Sequence, residues 1–306
     1  MVWQKTLSRP LTFTGIGLHR GQPATLTVFP AAADTGLRFV REDQPHRPQV
    51  LAIYTNVWDT SRATTLGNGV AVVSTVEHLL AAFQGVGVDN ALIQVEGPEI
   101  PIMDGSAAPF TEMLLEAGLR PLPAPRSYLV IHRTVEYREG DRWMRVTPGQ
   151  TCITYTIDFP HPLIRRQRYS FALNTLAFRR EIAPARTFGF LKEVAELQSQ
   201  GLALGGSLDN ALVLSEEAVL NPGGLRFPEE FVRHKILDAL GDLALLGKPL
   251  LGRVEVCRGS HDLHLKFIRH LMAQKSAWHV WSPPIHNRTM RRRLWSLTPA
   301  WEGIPA

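Results

Sequence analysis

One segment of the chain combines a strongly apolar pattern with a regular stripe of polar residues. It begins near Pro228, which suits the first turn of a helix, and ends near Gly247, which suits a helix stop. Apolar residues occupy most sides of this segment and predict a helix that is buried around much of its circumference. Because residues four apart share a helix face, His234 and Asp238 project side by side, with Asp242 one turn further on. A polar stripe on a buried helix needs partners, so these three side chains are candidates for chemistry.

Most of the remaining chain consists of short stretches in which apolar and polar residues alternate, the pattern of half-buried β-strands. A proline-rich stretch at 119–126 interrupts this pattern, because proline continues neither a helix nor a central strand. Before this stretch, strands are predicted at 12–14, 24–29, 37–40, 71–73 and 90–95, and helices at 75–83 and 110–116. After it, strands are predicted at 128–137, 143–146, 151–157, 168–171 and 253–257. Runs of strands followed by helices are typical of an α+β fold, here in domains at 1–122 and 127–281 with a tail at 282–306.

Composition and charge are those of a globular protein with an excess of positive charge. The chain has 306 residues, enough for two domains with separate cores, of which 44% are hydrophobic and 20% charged. Its two cysteines, Cys152 and Cys257, are too few for a disulfide framework and favour a reducing, cytoplasmic compartment. No signal peptide is expected, and no apolar run approaches membrane-spanning length. A net charge of +5 suits nucleic acid, an anionic lipid surface or an anionic small molecule as a partner.

Two fragments together supply the parts of a catalytic metal site. A neutral imidazole and a carboxylate on one helix stripe, such as His234 and Asp238, are two ligands of a zinc site. His78, at the start of another predicted helix, is the candidate third ligand, with Glu77 beside it as general base. Three protein ligands leave the fourth position to water, as a catalytic zinc requires. Each fragment alone also fits a structural explanation: a buried His–Asp hydrogen bond, or a capping box between Ser74 and Glu77.

A third fragment places a histidine just after a strand. The alternating residues at 253–257 run into Gly259 and Ser260, and His261 follows the turn. Loops at strand ends commonly carry catalytic side chains, so His261 is a candidate general acid whose charged form Asp242 supports. Alone, this fragment equally fits an ordinary loop histidine. Together the three fragments match the parts of a metal-dependent hydrolase.

Seven short motifs in a fixed order give the chain a family resemblance. They are Ser74-Thr-Val-Glu-His-Leu, Pro101-Ile-Met-Asp-Gly-Ser106, Ala185-Arg-Thr-Phe-Gly-Phe190, Leu204-Gly-Gly-Ser207, Asn221-Pro-Gly-Gly-Leu-Arg-Phe227, Val232-Arg-His-Lys-Ile-Leu-Asp-Ala-Leu-Gly-Asp242 and Gly259-Ser-His261. From about Thr6 to about Trp278, the chain resembles the UDP-3-O-acyl-N-acetylglucosamine deacetylases, zinc amidases of lipid A synthesis in Gram-negative bacteria. It departs from them at Asp262-Leu-His264, where members often have a small residue, leucine and asparagine.

The resemblance implies a fold, a metal and a reaction. The expected fold is α+β: two related two-layer α/β-sandwich domains with the active site between them, plus a small βαβ-type insert at about 187–215. One Zn²⁺ per chain is expected on His78, His234 and Asp238, with Fe²⁺ as the alternative in the cell. The expected reaction is hydrolysis of the 2-acetamido group of a UDP-3-O-acyl-N-acetylglucosamine, with no nucleic acid involved. A cytoplasmic monomer is expected, in peripheral contact with the inner membrane.

The resemblance also assigns residues to the substrate. Thr187 is expected to stabilise the oxyanion, while Glu77 and His261 act as base and acid and Asp242 holds the acid. Further expected substrate-binding residues are Lys235 for polar groups, Phe159 for the uracil, His19 near the mouth of the site, and Phe188, Leu191, Val194, Gly206, Leu208 and Val213 for a passage that takes the acyl chain. The alternative for these apolar residues is ordinary core packing.

Two other classes of function fit the residues less well. A basic nucleic-acid-binding protein with a structural zinc would bind with an affinity that falls steeply with salt, but the chain has no paired CxxC motif. A metal amidase for a different acylated amine would share the metal site without the acyl passage. The Arg291–Arg293 run in the tail is interpreted as a solvated face, in preference to a contact with anionic lipid or phosphate.

Overall fold

The computed structural model describes residues 3–284. The tail predicted at 282–306 lies almost wholly outside the described residues, and the Arg291–Arg293 run lies outside them entirely. The described range contains runs of strands followed by helices, so the predicted α+β class is confirmed. Within residues 3–284, no helix has both the length and the apolar character that a membrane span requires.

The first half of the chain is built on a five-stranded sheet. The strands of this half of the chain, in all its sheets, are β1 (Trp3–Leu7), β2 (Leu11–Ile16), β3 (Pro23–Pro30), β4 (Leu37–Arg41), β5 (Gln49–Leu51), β6 (Val57–Asp59), β7 (Thr65–Gly67), β8 (Val72–Val73), β9 (Ala91–Glu96) and β10 (Leu119–Pro125). Its helices are α1 (Glu77–Val86) and α2 (Ala108–Ala117), with a 3-10 turn at Tyr54–Asn56. The main sheet has the order β2-β3-β9-β4-β5, in which β9 and β4 are parallel and the other neighbours antiparallel.

The second half contains a five-stranded sheet of its own. The strands of this half of the chain, in all its sheets, are β11 (Tyr128–Ile131), β12 (Val135–Glu139), β13 (Arg142–Thr147), β14 (Cys152–Phe159), β15 (Arg165–Ala172), β16 (Phe188–Phe190), β17 (Leu212–Leu214), β18 (Leu250–Leu251), β19 (Arg253–Cys257) and β20 (Trp278–Trp281). Its helical segments are α3 (Thr175–Ala177), a π turn (Phe178–Ile182), α4 (Leu191–Ser199), α5 (Glu230–Ala244), α6 (His261–Ala273) and a 3-10 turn (Lys275–Ala277). The main sheet has the order β12-β13-β19-β14-β15, in which β19 and β14 are parallel and the other neighbours antiparallel.

The two main sheets repeat one topology. Numbered by chain order within each sheet, the strands lie in the order 1-2-5-3-4 in both, and the parallel pair joins strands 3 and 5 in both. A helix precedes strand 5 in each half, α1 in the first and α5 in the second, and a further helix, α2 or α6, follows it. The two related α/β units expected from the family resemblance are therefore present, although the sequence has no internal repeat that is visible by eye.

The proline-rich stretch at 119–126, which was predicted to continue neither a helix nor a central strand, contains an edge strand. Residues Leu119–Pro125 form β10, which pairs antiparallel with β1 in a two-stranded sheet. Proline is tolerated because each strand of such a sheet has an edge that needs no N–H donor. The domain limits drawn on either side of this strand stay a prediction.

A small insert lies between β15 and α5. β16 and β17 pair in parallel and α4 connects them, so the insert is the expected βαβ unit. The backbone N–H of Leu204 donates to the carbonyl of His19 at 3.1 Å, and that of Gly205 to the carbonyl of Leu18 at 3.0 Å. A Cβ at Gly205 would collide with the carbonyl oxygen of Gly17, so glycine is required for this close approach. The insert is thereby joined to the loop between β2 and β3.

α1 and α5 pack against each other in the interior of the molecule. Every residue of α5 except Arg233 and Lys235 is buried, as its apolar pattern predicts. A Cβ at Gly241 would collide with the carbonyl oxygen of Glu77, so a glycine stands where the backbone of α1 approaches α5. This contact sets the first turn of α1, which carries Glu77 and His78, against the polar stripe of α5.

Candidate active site

Three predicted ligands come together where α1 packs on α5. His78 lies on α1, His234 and Asp238 lie one turn apart on α5, and all three are buried. Asp238 Oδ1 lies 3.2 Å from His234 Nε2 and 3.7 Å from His78 Nε2. The two imidazole rings are nearly perpendicular, with centroids 5.0 Å apart. One donor atom of each residue lies within 4.8 Å of the others, so a single cation can contact all three.

Neighbouring groups orient these donor atoms. His234 Nδ1 lies 3.0 Å from the carbonyl oxygen of Ala185, so its N–H donates there and the lone pair of Nε2 is left for a metal. Asp238 Oδ2 accepts a hydrogen bond from Lys235 Nζ at 2.8 Å, while Oδ1 faces the histidines. Among the described residues, His78 Nδ1 is buried without a hydrogen-bond partner. Two imidazoles and a carboxylate in this arrangement fit a divalent cation such as Zn²⁺ or Fe²⁺.

Burial and mutual charge set the protonation states of this cluster. Burial lowers the pKa of His78 to about 3, and the neighbouring His234 adds to the shift. Burial also lowers the pKa of His234, against the opposing charge of Asp238. Burial alone would raise the pKa of Asp238, but His234 and Lys235 outweigh it and hold this pKa below its usual value. Both imidazoles are therefore neutral and the carboxylate is ionised at neutral pH, the forms in which they bind a metal.

Glu77 points into the site and does not cap its helix. α1 begins at Glu77, and Ser74 Oγ accepts a hydrogen bond from the Thr65 hydroxyl at 3.0 Å, so the capping box is absent. Glu77 Oε2 accepts a hydrogen bond from the backbone N–H of Thr64 at 3.0 Å. Glu77 Oε1 lies 3.8 Å from His261 Nε2. Burial raises the pKa of Glu77 to about 7, against the opposing charge of His261.

A buried carboxylate that sequence patterns did not reveal holds the turn before α1. Thr75 has a φ of 59°, and its hydroxyl donates to Glu99 Oε1 at 2.7 Å. Glu99 is 1% exposed and also accepts the backbone N–H groups of His19 and Arg20, each at 2.9 Å. Glu99 thus ties the loop after β2, which carries His19, to the start of α1.

A second histidine–carboxylate cluster lies one turn further along α5. Asp242 Oδ2 accepts hydrogen bonds from His261 Nδ1 at 2.7 Å and from His264 Nδ1 at 2.8 Å. Asp242 Oδ1 accepts a third from the Thr64 hydroxyl at 2.5 Å. Burial alone would lower the pKa of His261, but the charge and hydrogen bond of Asp242, together with Glu77, raise it to about 10. A histidine with this pKa is protonated at neutral pH, the form that can donate a proton.

The strand-and-turn pattern predicted a loop residue at His261, but His261 is the first residue of α6. Ser260 caps this helix, and its hydroxyl accepts a backbone N–H of the first turn at 3.3 Å. The partners His264 and Thr64 of Asp242 were both missed. His264 follows His261 by three residues, a helical spacing that reveals the pair once the helix is known. Nothing in the sequence around Thr64 signals its contact with a residue so distant in the chain.

Aromatic side chains expected to contact the substrate lie next to His234, one of the candidate ligands. Thr187 stands between Ala185, which accepts the hydrogen bond of His234, and Phe188, whose ring centroid lies 6.4 Å from that imidazole. The rings of Phe159 and Phe188 are 5.7 Å apart. An aromatic group therefore extends from His234 through Phe188 to Phe159.

The residues expected to form an acyl passage lie in the insert but do not share one cavity. Leu191 lines a cavity of about 380 Å³, whose lining residues are Pro160, His161, Pro162, Phe190, Leu191, Lys192, Leu214, Ser215 and Glu216. Val194, Gly206, Leu208 and Val213 are outside this lining. Leu191 and Leu208 are exposed, at 50% and 43%. The role of all five residues in acyl binding stays a prediction.

Comparison with known proteins places the chain in a family. The LpxC family model, described as UDP-3-O-acyl N-acetylglycosamine deacetylase, matches residues 4–273. A relative from Anaeromyxobacter sp. (strain Fw109-5), named UDP-3-O-acyl-N-acetylglucosamine deacetylase, is 49% identical over 90% of this chain and 91% of its own length. Relatives of the same name from Myxococcus xanthus (strain DK1622) and Geotalea uraniireducens (strain Rf4) are 47% and 44% identical, over 90% and 94% of this chain and 88% and 95% of their own lengths. The chain belongs to the UDP-3-O-acyl N-acetylglycosamine deacetylase family.

Proposed function

We propose that this protein hydrolyses the 2-acetamido group of UDP-3-O-[(R)-3-hydroxyacyl]-N-acetylglucosamine and releases acetate, the committed step of lipid A biosynthesis. Family membership supports the substrate, since the relatives above are named for this deacetylation. One observation supports the chemistry most: Glu77 Oε1 and His261 Nε2 lie 3.8 Å apart, beside the cluster of two histidines and an aspartate. A base and an acid at this separation can serve the two proton transfers that amide hydrolysis requires.

His78, His234 and Asp238 are proposed to hold one Zn²⁺, with Fe²⁺ as the alternative because it accepts the same nitrogen and oxygen donors. When bound, such a cation lowers the pKa of a water molecule in its open position and polarises the substrate carbonyl. The chain itself prepares the ligands. Ala185 directs the lone pair of His234 Nε2 inward, and Lys235 binds the oxygen of Asp238 that faces away from the histidines.

Glu77 is proposed as the base of the reaction and His261 as the acid. Ionised Glu77 takes a proton from the attacking water as the new C–O bond forms at the acetamide carbonyl. Protonated His261 gives a proton to the amide nitrogen as the C–N bond breaks, so the products are acetate and a free amine. Asp242 accepts the Nδ1–H of His261, which stabilises the charged ring and leaves Nε2 as the donating atom. Thr187 is proposed to donate its hydroxyl proton to the oxyanion.

Residues around the metal cluster are proposed to bind the rest of the substrate. Phe159 would stack on the uracil, and His19 would lie at the mouth of the site. Lys235 uses one of its three ammonium donors on Asp238, which leaves others for polar groups of the sugar. Residues proposed for the acyl chain are Phe188, Leu191, Val194, Gly206, Leu208 and Val213. Each methylene that leaves water contributes about 0.8 kcal/mol of binding free energy, so an acylated substrate would bind much more tightly than an unacylated one.

The proposed setting is the cytoplasm, for an enzyme that acts as a monomer in peripheral contact with the inner membrane. The cysteines Cys152 and Cys257 are free thiols, which fits a reducing compartment. The net charge of +5 suits an anionic nucleotide sugar and an anionic membrane surface alike.

Mass spectrometry of the reaction products tests this proposal. Metal-loaded protein is incubated with a UDP-3-O-acyl-N-acetylglucosamine and, separately, with UDP-N-acetylglucosamine. The expected result is loss of one acetyl group from the first substrate and a far slower loss from the second. Equal rates would favour a metal amidase without an acyl passage. No reaction with either substrate, together with salt-sensitive binding of nucleic acid, would favour a structural zinc.

A further inference from the structure

The Asp242 carboxylate has one more imidazole partner than a catalytic histidine–aspartate pair requires. His264 Nδ1 lies 2.8 Å from Asp242 Oδ2, the oxygen that also accepts the hydrogen bond of His261. His264 is 0% exposed, and its Nε2 lies 3.2 Å from the hydroxyl of Tyr155, which is equally buried. Hydrogen bonds therefore run from Tyr155 through His264 to Asp242.

The ionised carboxylate of Asp242 sets the direction of the hydrogen bond from His264. Burial alone would raise the pKa of Asp242, but His261 and the hydrogen bonds it receives hold this pKa below its usual value. Asp242 is thus an acceptor only, and His264 Nδ1 must carry the shared proton. Burial raises the pKa of Tyr155 well above its usual value, so its hydroxyl keeps its proton and lies within hydrogen-bond distance of His264 Nε2. His264 therefore donates from Nδ1 to Asp242 and contacts Tyr155 through Nε2.

Gly259 leaves the space in which these side chains meet. A Cβ at this position would collide with the Tyr155 hydroxyl and would lie 2.8 Å from His264 Nε2. The rings of Tyr155 and His264 also pack edge to face, with centroids 5.9 Å apart. Gly259, two residues before His261, thus leaves room for the Tyr155 hydroxyl and the His264 ring to meet behind the proposed acid.

We propose that His264 is a positioning residue for proton transfer from His261, an inference that rests on the proposed function. His264 holds one oxygen of Asp242 and the Thr64 hydroxyl holds the other, so Oδ2 stays aligned with His261 Nδ1. His264 thus fixes Asp242 through a hydrogen bond separate from the one that Asp242 makes with His261.

Other titratable groups face His261 from several elements, and their contacts differ from that of His264. They are Asp238, Asp242 and His234 on α5, Glu77 and His78 on α1, and His19 on the loop after β2. Among the described residues, the side chains that hydrogen-bond to Asp242 are those of His261, His264 and Thr64. Removal of His264 therefore acts on the alignment of Asp242 before it acts on the field at His261.

The variant His264→Leu tests this role, because leucine fills the space and removes both hydrogen bonds. It is expected to lower kcat about 10- to 100-fold, the usual effect of losing a partner that orients a functional side chain. KM and metal content are expected to stay near the wild-type values. His264→Asn restores a donor toward Asp242 and is expected to recover most of the loss. The matched control is His270→Leu on the same helix, since His270 contacts Gln274 and is expected to be dispensable for kcat.

A second measurement does not depend on catalysis or on the folding of the leucine variant. In wild-type protein labelled with ¹⁵N-histidine, His264 is expected to give the signal of an imidazole protonated at Nδ1, assigned by its absence from His264→Asn. Tyr155→Phe removes the hydroxyl that contacts Nε2 and is expected to shift this signal and to lower kcat by a smaller factor. Tyr137→Phe, whose hydroxyl contacts Glu139, is the control for that change.

Three results would overturn the inference. The first is wild-type kcat in His264→Leu or, if that variant does not fold, wild-type kcat in Tyr155→Phe with an unchanged His264 signal. The second is a His264 ring without a proton on Nδ1. The third is a second cation per chain after dialysis, since Asp242, His261 and His264 lie close enough together to share one. Absence of deacetylase activity in the wild-type protein would overturn the proposed function instead. The ¹⁵N signal of His264 would still show whether its Nδ1 carries the proton that faces Asp242.

Discussion

The two histidine–aspartate clusters on α5 contain the same residue types, lie one turn apart and are equally buried, yet His78 and His234 beside Asp238 are neutral whereas His261 beside Asp242 is protonated. Around Asp238, burial lowers the pKa of both His78 and His234, that of His78 to about 3. Beside Asp242, the pKa of His261 is raised to about 10 despite its burial. Burial is common to both clusters, so it does not decide the outcome.

The difference lies in whether the imidazole donates a hydrogen bond to its carboxylate. His261 Nδ1 lies 2.7 Å from Asp242 Oδ2, a hydrogen bond that favours the charged ring. His78 Nε2 lies 3.7 Å from Asp238 Oδ1, and Lys235 already neutralises part of that carboxylate at 2.8 Å. His261 thus directs a ring N–H at its carboxylate, whereas His234 directs its Nδ1–H at the carbonyl of Ala185 and keeps a lone pair on Nε2.

The largest effect is expected when each carboxylate is replaced by its amide. Asp238→Asn is expected to lose the metal, because a neutral amide is a poorer ligand. The loss in kcat/KM is expected to exceed roughly 10–100-fold, which is typical when only the hydrogen-bond partner of a ligand is removed. Asp242→Asn is expected to keep the metal and to lose activity, because His261 no longer has the charge that keeps it protonated. Metal content after dialysis against a mild chelator, measured beside kcat/KM, separates the two. Equal metal loss in both variants would mean that the clusters do not differ in role.

Glu77→Gln is expected to have the next largest effect, since Glu77 lies between the two clusters. Glutamine still accepts the N–H of Thr64, so the fold and the metal content are expected to persist, but an amide cannot take a proton. The expected loss in kcat is about 10²- to 10⁴-fold. Steady-state kinetics on protein of known metal content measures it, with the exposed Glu112→Gln as control. Activity within about twofold of wild type would leave Glu77 with a structural role only, far below the usual contribution of a general base.

Gly241→Ala tests whether both clusters depend on the close contact of α1 with α5. The added Cβ would collide with the carbonyl oxygen of Glu77 and push α1, with His78, away from Asp238. Activity is expected to fall about 100-fold, the effect of displacing a positioned group by about 1 Å. Overpacking of this kind also destabilises by about 1–3 kcal/mol, which lowers Tm. Gly223→Ala is the control, because nothing lies within 4 Å of a Cβ there. Equal Tm and kcat/KM in the two variants would show that the contact is not limiting.

The smallest effect is the pH dependence, about tenfold per pH unit on each limb of kcat/KM. Glu77 must have lost its proton, so the rate is expected to rise with pH through about 7, its raised pKa. His261 must hold its proton, so the rate is expected to fall as pH rises through about 10. A bound cation lowers the pKa of Glu77 and moves the acidic limb to pH 7 or below. His261→Ala is expected to remove the basic limb alone; a basic limb that survives in this variant belongs to another group.

The polar stripe of α5 was predictable because it depends only on helix periodicity. The spacing of His234, Asp238 and Asp242 places them on one face whatever surrounds the helix. The neighbourhood of Asp242 was not predictable, because Thr64 reaches it only through the packing of the first half of the chain against the second. His264 was within reach of sequence reasoning, but the turn signal at 259–260 pointed to a loop where α6 begins.

The capping box at the start of α1 shows how a tertiary contact overrides a strong local signal. Ser74 and Glu77 have the spacing and residue types of that motif. In the fold, Thr65 donates its hydroxyl proton to Ser74, and the backbone of Thr64 donates to Glu77. Both side chains therefore have partners outside the helix, and Glu77 is held toward His261.

The strand order shared by the two main sheets bears on the speed at which active enzyme appears after synthesis. In each sheet, strand 5 inserts between strands 2 and 3, which precede it by a long stretch of chain. Non-local pairing of this kind is slow, because a long loop must close before its contacts repay the lost chain entropy. α1 lies just ahead of β9 in the chain and α5 just ahead of β19. We therefore expect the catalytic centre to mature at the rate of these two slow pairings, so that a substitution deep in either sheet can delay active enzyme without touching a site residue.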